Sequence, residues 1–160
     1  MALDAVGVSI DRRGDVLSLR YMIEGDVERV RWPEPAAPAR ADELWQHSCF
    51  EAFVQPVGRS GYVELNLSPS GRWASYAFDG RREGMRDALV VPVTAWAMPV
   101  LTATADLREI GGADWRIGLT MVVEAIDGTK SFWALTHAPG PPDFHNPDCF
   151  IATLPAPDGP

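Results

Sequence analysis

The sequence predicts an all-β protein, a two-sheet antiparallel β-sandwich of the jelly-roll or immunoglobulin-like kind, formed as a single domain over residues 1–160. Apolar and polar residues alternate with a period of two far more often than with the helical period of 3.6. Fourteen prolines and fourteen glycines divide the chain into short segments. About nine such segments, separated by turn signals, fit two packed antiparallel sheets, with a closed barrel as the alternative.

The first predicted strands are Val16–Ile23 and Val27–Trp32, joined as a hairpin at Gly25-Asp26. Residues 33–38 cannot continue a strand, because three of them are prolines without an N–H group for the ladder. Three further strands then form an antiparallel meander, connected by short turns that are rich in proline, glycine and serine. Their predicted bounds are Leu44–Gln55, Tyr62–Leu67 and Arg72–Phe78.

The second half of the chain continues the same pattern. The polar segment Asp79–Asp87 contains glycines and is typical of an exposed loop. In the predicted strand Trp115–Val123, large apolar residues alternate with polar or small ones, as expected where one face of a sheet is buried. The remaining predicted strands are Trp96–Leu107, Ser131–Thr136 and Cys149–Leu154.

Composition narrows the classes of function. The net charge is −8, from 22 acidic and 14 basic residues, so the chain lacks the concentrated positive field that binds phosphate backbones. No segment approaches the roughly 20 apolar residues of a membrane span, and the N-terminal residues do not have the pattern of a signal peptide. We therefore expect a cytoplasmic protein with no nucleic-acid or membrane partner, whose Cys49 and Cys149 are free thiols.

The central meander carries an unusual set of polar and aromatic side chains. Because side chains alternate across a strand, Tyr62, Glu64 and Asn66 share one face of their strand. If the preceding strand is its hairpin partner, Glu51 and Glu64 become neighbours on that face. By the same alternation, the preceding strand brings together Trp45, His47, Cys49, Glu51 and Phe53.

This face suits a small polar ligand. Sugars pack their C–H faces on aromatic rings while their hydroxyl groups bond to carboxylates and amides, so a saccharide is one candidate. Trp73, next to the turn at 68–71, would add a ring platform. The alternative interpretation is a solvated outer face, which antiparallel sheets often present.

A second candidate region is the proline-rich loop between Trp133 and Cys149. Four prolines and a glycine predict an ordered but irregular path that holds His137, Asp143, His145 and Asp148 near one another. The loop would either close over the ligand face or serve as a structural plug at the end of the sandwich.

Residues 44–54 (LWQHSCFEAFV) and 62–71 (YVELNLSPSG) resemble the core signature of DOMON-like domains, which are related to family 9 carbohydrate-binding modules. Trp45, Glu51, Phe53, Tyr62 and Asn66 occupy positions of that signature, whereas Ser48 stands where an aspartate is common. The segment 133–150 is similar to a narrower bacterial subgroup of such domains, often without assigned function. The resemblance implies a β-sandwich with a ligand pocket on one sheet, which binds sugar in some members and haem in others.

These observations predict a non-catalytic module that binds a small polar ligand, with a saccharide as the leading candidate and no cofactor. The first alternative is a haem- or metal-binding domain that uses His47, His137 or His145. The second is a protein-interaction module with exposed tryptophans. An enzyme is disfavoured because no nucleophile elbow or phosphate-binding loop is present, and we predict no catalytic residues and no metal ligands.

Overall fold

The computed structural model describes residues 2–157, which form eleven β-strands. Their bounds, in chain order, are β1 (Leu3–Arg13), β2 (Val16–Gly25), β3 (Cys49–Pro56), β4 (Tyr62–Leu67), β5 (Trp73–Phe78), β6 (Arg86–Asp87), β7 (Val93–Ala97), β8 (Val100–Asp106), β9 (Trp115–Glu124), β10 (Lys130–Ala134) and β11 (Ala152–Leu154). Helical structure in this range consists of three-residue 3-10 turns, and no helix in it is long and apolar enough to cross a membrane.

The strands form two antiparallel sheets, as the sequence predicted. The smaller sheet has the order β1-β2-β8-β7. The larger, seven-stranded sheet has the order β10-β9-β3-β4-β5-β6, and β11 also pairs with β9. The all-β sandwich expected from the two-residue periodicity is therefore confirmed.

The hydrophobic core lies between the two sheets. On β4, Val63, Leu65 and Leu67 point inward and are buried, while the residues between them point to the outer face. The smaller sheet contributes a matching row from alternate positions of β2, and its Tyr21 ring lies 4.9 Å from that of Phe50 on β3. The Tyr21 hydroxyl donates a hydrogen bond of 2.6 Å to the Glu51 carbonyl oxygen, which ties the two sheets together.

The N-terminal part of the fold differs from the prediction. Val27–Trp32 does not form a strand but begins with a 3-10 turn over Val27–Arg29. The reason is that β2 is already paired on both edges, with β1 on one side and β8 on the other. Strand β1 was not predicted, although Val6, Val8 and Ile10 alternate with small or polar residues.

Two other predicted strands differ from the observed ones, the first in where it begins and the second because it is divided in two. Leu44–Gln46 forms a 3-10 turn, so the strand starts only at Cys49. The predicted strand Trp96–Leu107 is instead a hairpin, because the Met98-Pro99 turn separates β7 from β8. Tyr62–Leu67 has the predicted bounds.

Strand β9 organises the C-terminal part of the chain. One of its edges pairs with β3, whereas its other edge pairs first with β10 and then with β11. After β10 the chain leaves this edge of β9 and continues through residues 135–151. It then returns to the same edge as β11. The Phe150 ring packs directly on Gly118 of β9, where a Cβ would lie 2.7 Å from the ring. Cys49 and Cys149 are both buried free thiols.

Candidate ligand-binding site

A pocket of about 540 Å³ lies on the outer face of the seven-stranded sheet, within the usual range of small-molecule sites. Its floor is formed by strands of the sheet, and its walls come from three loops that fold over this face. These loops carry Trp45, Arg82 and His145. The lining residues are Trp45, Glu51, Glu64, Tyr76, Phe78, Arg82, Met85, Val122, Phe132, Pro142, Phe144 and His145.

The strand register determines which side chains form the floor. Glu51 lies opposite Asn66 across β3 and β4, and Phe53 lies opposite Glu64. Across β4 and β5, Glu64 lies opposite Tyr76. Since residues paired across an antiparallel ladder share a face, these side chains all point away from the core between the sheets.

Two carboxyl groups are buried in this floor. Glu51 is 3% exposed and Glu64 is 5% exposed, and both line the pocket. Burial raises the pKa of Glu51 well above its ordinary value, and the negative charge of Glu64 raises it further. Burial also raises the pKa of Glu64. Within the described chain, the Glu51 carboxyl group accepts a hydrogen bond from the Thr120 hydroxyl, and Oγ1 lies 3.3 Å from Oε2.

Asn66 lies beside these carboxyl groups and is fully buried. Its amide is close enough to Glu64 to favour the ionised carboxylate, yet within residues 2–157 neither its Nδ2 nor its Oδ1 makes a hydrogen bond of normal geometry. Native proteins seldom leave a buried amide unpaired, because its desolvation costs about 1–3 kcal/mol. The unpaired amide makes this face a candidate for contact with a ligand.

A hydrogen-bonded chain positions His145 over Glu64. The Tyr62 hydroxyl accepts a bond from the Arg82 backbone N–H over 3.1 Å and shares a hydrogen bond of 2.7 Å with His145 Nδ1. The Nε2 atom of His145 lies 3.4 Å from Glu64 Oε1. Burial lowers the pKa of His145 to about 4, so this imidazole is neutral at neutral pH.

Asp143 fastens the proline-rich loop to the loop after β5. Its carboxylate accepts hydrogen bonds from Arg81, from Arg82 Nη2 over 2.9 Å and from the His145 backbone N–H over 3.1 Å. Burial disfavours the charged carboxylate, but the two arginines outweigh this and lower its pKa to about 2. Asp143 is thus an anchor of the wall and does not line the pocket.

Aromatic rings form much of the pocket wall. Trp45 is 51% exposed at the rim, and Phe132 of β10 is 42% exposed with its ring edge-on to that of Phe144. Tyr76 is held by a hydrogen bond of 2.6 Å from its hydroxyl to Asp42 Oδ1. These rings offer flat apolar surfaces above a polar floor.

Six of the predicted site residues do not line the pocket. Tyr62, Asn66 and Asp143 lie next to lining residues, as described above, and the other three are Trp73, His47 and His137. Trp73 lies opposite Leu67 and so faces the other side of the sheet, where the Arg40 guanidinium lies 4.6 Å from its ring centre. His47 is a largely exposed side chain that bonds to Glu124 through Nδ1 over 3.1 Å. His137 is exposed beside Phe144.

Several pocket residues were missed by sequence reasoning. Tyr76 and Phe78 follow from the register of β5, because a residue paired with Glu64 must share its face. The prediction named Trp73, which is separated from Tyr76 by an odd number of positions. Because side chains alternate along a strand, Trp73 lies on the opposite face of β5. No local signal identifies Arg82, Phe132 or Phe144, whose positions depend on how distant loops fold over the sheet.

No group of three or more His, Cys, Asp or Glu side chains within residues 2–157 is arranged to hold a metal ion. His47 and His145, which the metal hypothesis uses, bond to Glu124 and Tyr62 instead.

The fold and the pocket together define a β-sandwich with a polar and aromatic cavity on one sheet. No protein-family model matches the chain, and the comparison with curated proteins finds no match. The DOMON-like resemblance therefore stays a prediction.

A solved structure from Bacteroides uniformis, described as a "putative carbohydrate-binding protein", has a similar fold. The TM-score is 0.66 at 18% sequence identity, and the alignment covers 94% of this chain and 77% of that one. At this identity the similarity establishes the fold alone.

Proposed function

We propose that this protein is a non-catalytic binding domain whose pocket on the outer face of the seven-stranded sheet takes a small saccharide. The observation that carries the proposal is the fully buried Asn66 amide, which makes no hydrogen bond of normal geometry within residues 2–157 and lies next to two carboxyl groups that line the pocket. Hydroxyl groups both donate and accept, so a sugar can satisfy carboxylate and amide atoms together.

The aromatic wall supports the same proposal. Trp45 and Phe132 are partly exposed rings at the opening of the pocket, where a ligand would contact their faces. Burying a sugar's C–H surface against such rings contributes binding energy without requiring a hydrogen bond. The likeness in fold to a structure described as carbohydrate-binding adds support.

The direct test is calorimetric titration of the purified protein with a panel of monosaccharides and short oligosaccharides. The substitution Phe132→Ala should weaken the affinity for the best ligand about tenfold, because it removes a ring from the pocket wall. It should lower the free energy of unfolding little, because Phe132 is partly exposed.

The matched control is Leu135→Ala, since Leu135 is also 42% exposed but does not line this pocket. It should bind as the wild type does. Absence of binding across the panel would contradict the saccharide proposal, and equal effects of the two substitutions would place the ligand elsewhere.

A further inference from the structure

The floor of the pocket holds more acceptor groups than the protein satisfies. Glu51 receives a hydrogen bond from the uncharged Thr120 hydroxyl, and Glu64 faces the neutral imidazole of His145. Arg82 is the cation whose charge acts on Glu64, but its guanidinium is bound to Asp143 at the rim. The two carboxyl groups therefore lie together with no cationic side chain of the described chain bonded to either of them.

The other titratable groups around the floor supply no positive charge. Burial raises the pKa of Tyr62 and of the Cys49 thiol, so both keep their protons at neutral pH. Tyr76 also stays protonated and donates its hydroxyl hydrogen to Asp42. A positive charge that neutralises the carboxyl pair must come from the ligand or from a bound proton.

Asn66 adds an independent indication of a ligand. It is fully buried, it lies across the ladder from Glu51, and in the part of the chain that the structure describes its Oδ1 accepts no hydrogen bond. Its carbonyl oxygen is therefore a third acceptor next to the two carboxyl groups.

On the basis of the saccharide site proposed above, we propose that the pocket selects a sugar bearing a protonated amine, with the ammonium group bound by the two carboxyl groups that line the floor, Glu51 and Glu64. An ammonium group has three N–H donors and no acceptor, which matches the acceptor oxygens of the two carboxyl groups on the floor. Its hydrogen bonds to carboxylates are charge-assisted and stronger than those of a neutral hydroxyl group.

A neutral sugar satisfies the floor less well. It leaves the two carboxyl groups to repel each other, so one of them has to hold a proton, which consumes one of the acceptor positions. The aromatic walls also favour a cation, because the faces of Trp and Phe rings attract positive charge.

The inference is tested by calorimetric titration at about pH 6.5, where an alkylamine carries its proton. The probes are D-glucosamine, D-glucose and cyclohexylamine, which separate the amine from the sugar. We expect D-glucosamine to bind at least about tenfold more tightly than D-glucose. Its binding should also release protons from the carboxyl pair, measured as a dependence of the heat on the buffer.

Charge-neutralising variants locate the effect. Glu51→Gln and Glu64→Gln should each remove the preference for D-glucosamine, and the glutamine at 51 can still accept the Thr120 hydrogen bond, so the fold is kept. The control is Glu124→Gln, because Glu124 is also buried on this sheet but bonds to His47 outside the pocket lining. Thermal unfolding of each variant checks that it is folded.

The outcomes separate the two proposals. D-glucose binding as tightly as D-glucosamine would overturn the amine inference and leave the saccharide site intact. Cyclohexylamine binding that depends on Glu51 and Glu64, with no binding of either sugar, would support the cation site and overturn the saccharide proposal. Failure of both amines to bind, or equal losses in Glu51→Gln and Glu124→Gln, would overturn the amine inference.

Discussion

The two sheets differ in what covers their outer faces. In the smaller sheet, buried residues of β2 such as Leu17 and Leu19 alternate with Ser18 and Arg20, which are partly or fully exposed. In the larger sheet, every residue of β3, β4 and β5 is buried, because loops cover the outer face as well. One sheet therefore contributes mainly to stability, whereas the other also supports a pocket.

The chemistry of the two faces of the larger sheet shows the same division. Its inner face is apolar, whereas its outer face buries Glu51, Glu64 and Asn66. Burying carboxyl groups costs free energy, and apolar residues of similar size would give a more stable sheet. Folding stability therefore does not explain the polar floor, which agrees with the binding function proposed above.

The largest expected effect of a substitution is on the inner face. Leu65→Ala creates a cavity in the fully buried core and should lower the free energy of unfolding by about 3 kcal/mol. Urea denaturation measures this, and ligand affinity should be unchanged at temperatures where the variant is folded. A loss below about 1 kcal/mol would show that the two sheets are not tightly packed at this position.

An intermediate effect is expected on the outer face. Because folding raises the pKa of Glu51, the native state binds more protons than the unfolded chain as pH rises above the ordinary glutamate value of about 4.3. The wild-type protein should therefore lose stability as pH increases from about 5 to 8, by roughly 1–2 kcal/mol more than Glu51→Gln.

Urea denaturation of both proteins over this pH range provides the measurement. The window lies well above the range in which Asp143 titrates, since its pKa is about 2. If the free energy of unfolding changes with pH in the same way for the wild type and Glu51→Gln, then burying the Glu51 carboxyl group does not destabilise the fold. That result would contradict the proposed difference between the two faces of the sheet.

The smallest effect is expected on the exposed face of the smaller sheet. Thr104 of β8 is exposed between β2 and the edge strand β7, so Thr104→Ala should change stability by less than about 0.5 kcal/mol. Its melting temperature should remain close to that of the wild type. A larger loss would indicate that a partner or a further segment covers this face too.

The sequence predicts the sandwich and the floor of the pocket because both depend on local alternation. The face shared by Tyr62, Glu64 and Asn66 follows from a period of two, and the pairing of β3 with β4 follows from a short turn. Trp73 shows the limit of this reasoning. Side chains alternate along a strand, so an error of one position in β5 assigns a side chain to the wrong face of the sheet.

The walls of the pocket could not be predicted in this way. Phe132 and Phe144 line the same pocket as Trp45 and Arg82 although these residues lie far apart in sequence, and no periodic pattern encodes this arrangement. The division of Trp96–Leu107 into two strands was missed for a related reason. A hairpin with a two-residue turn keeps the same alternation on both sides of the turn.

The return of the chain to one edge of β9 has a consequence for how such domains diversify. Both ends of the excursion over residues 135–151 are fixed by pairing with the same strand, so its length and composition can change without altering any strand register. This excursion contributes Pro142, Phe144 and His145 to the pocket. Substitutions in this segment can therefore change the wall of the pocket while the carboxyl groups beneath it and the scaffold stay the same.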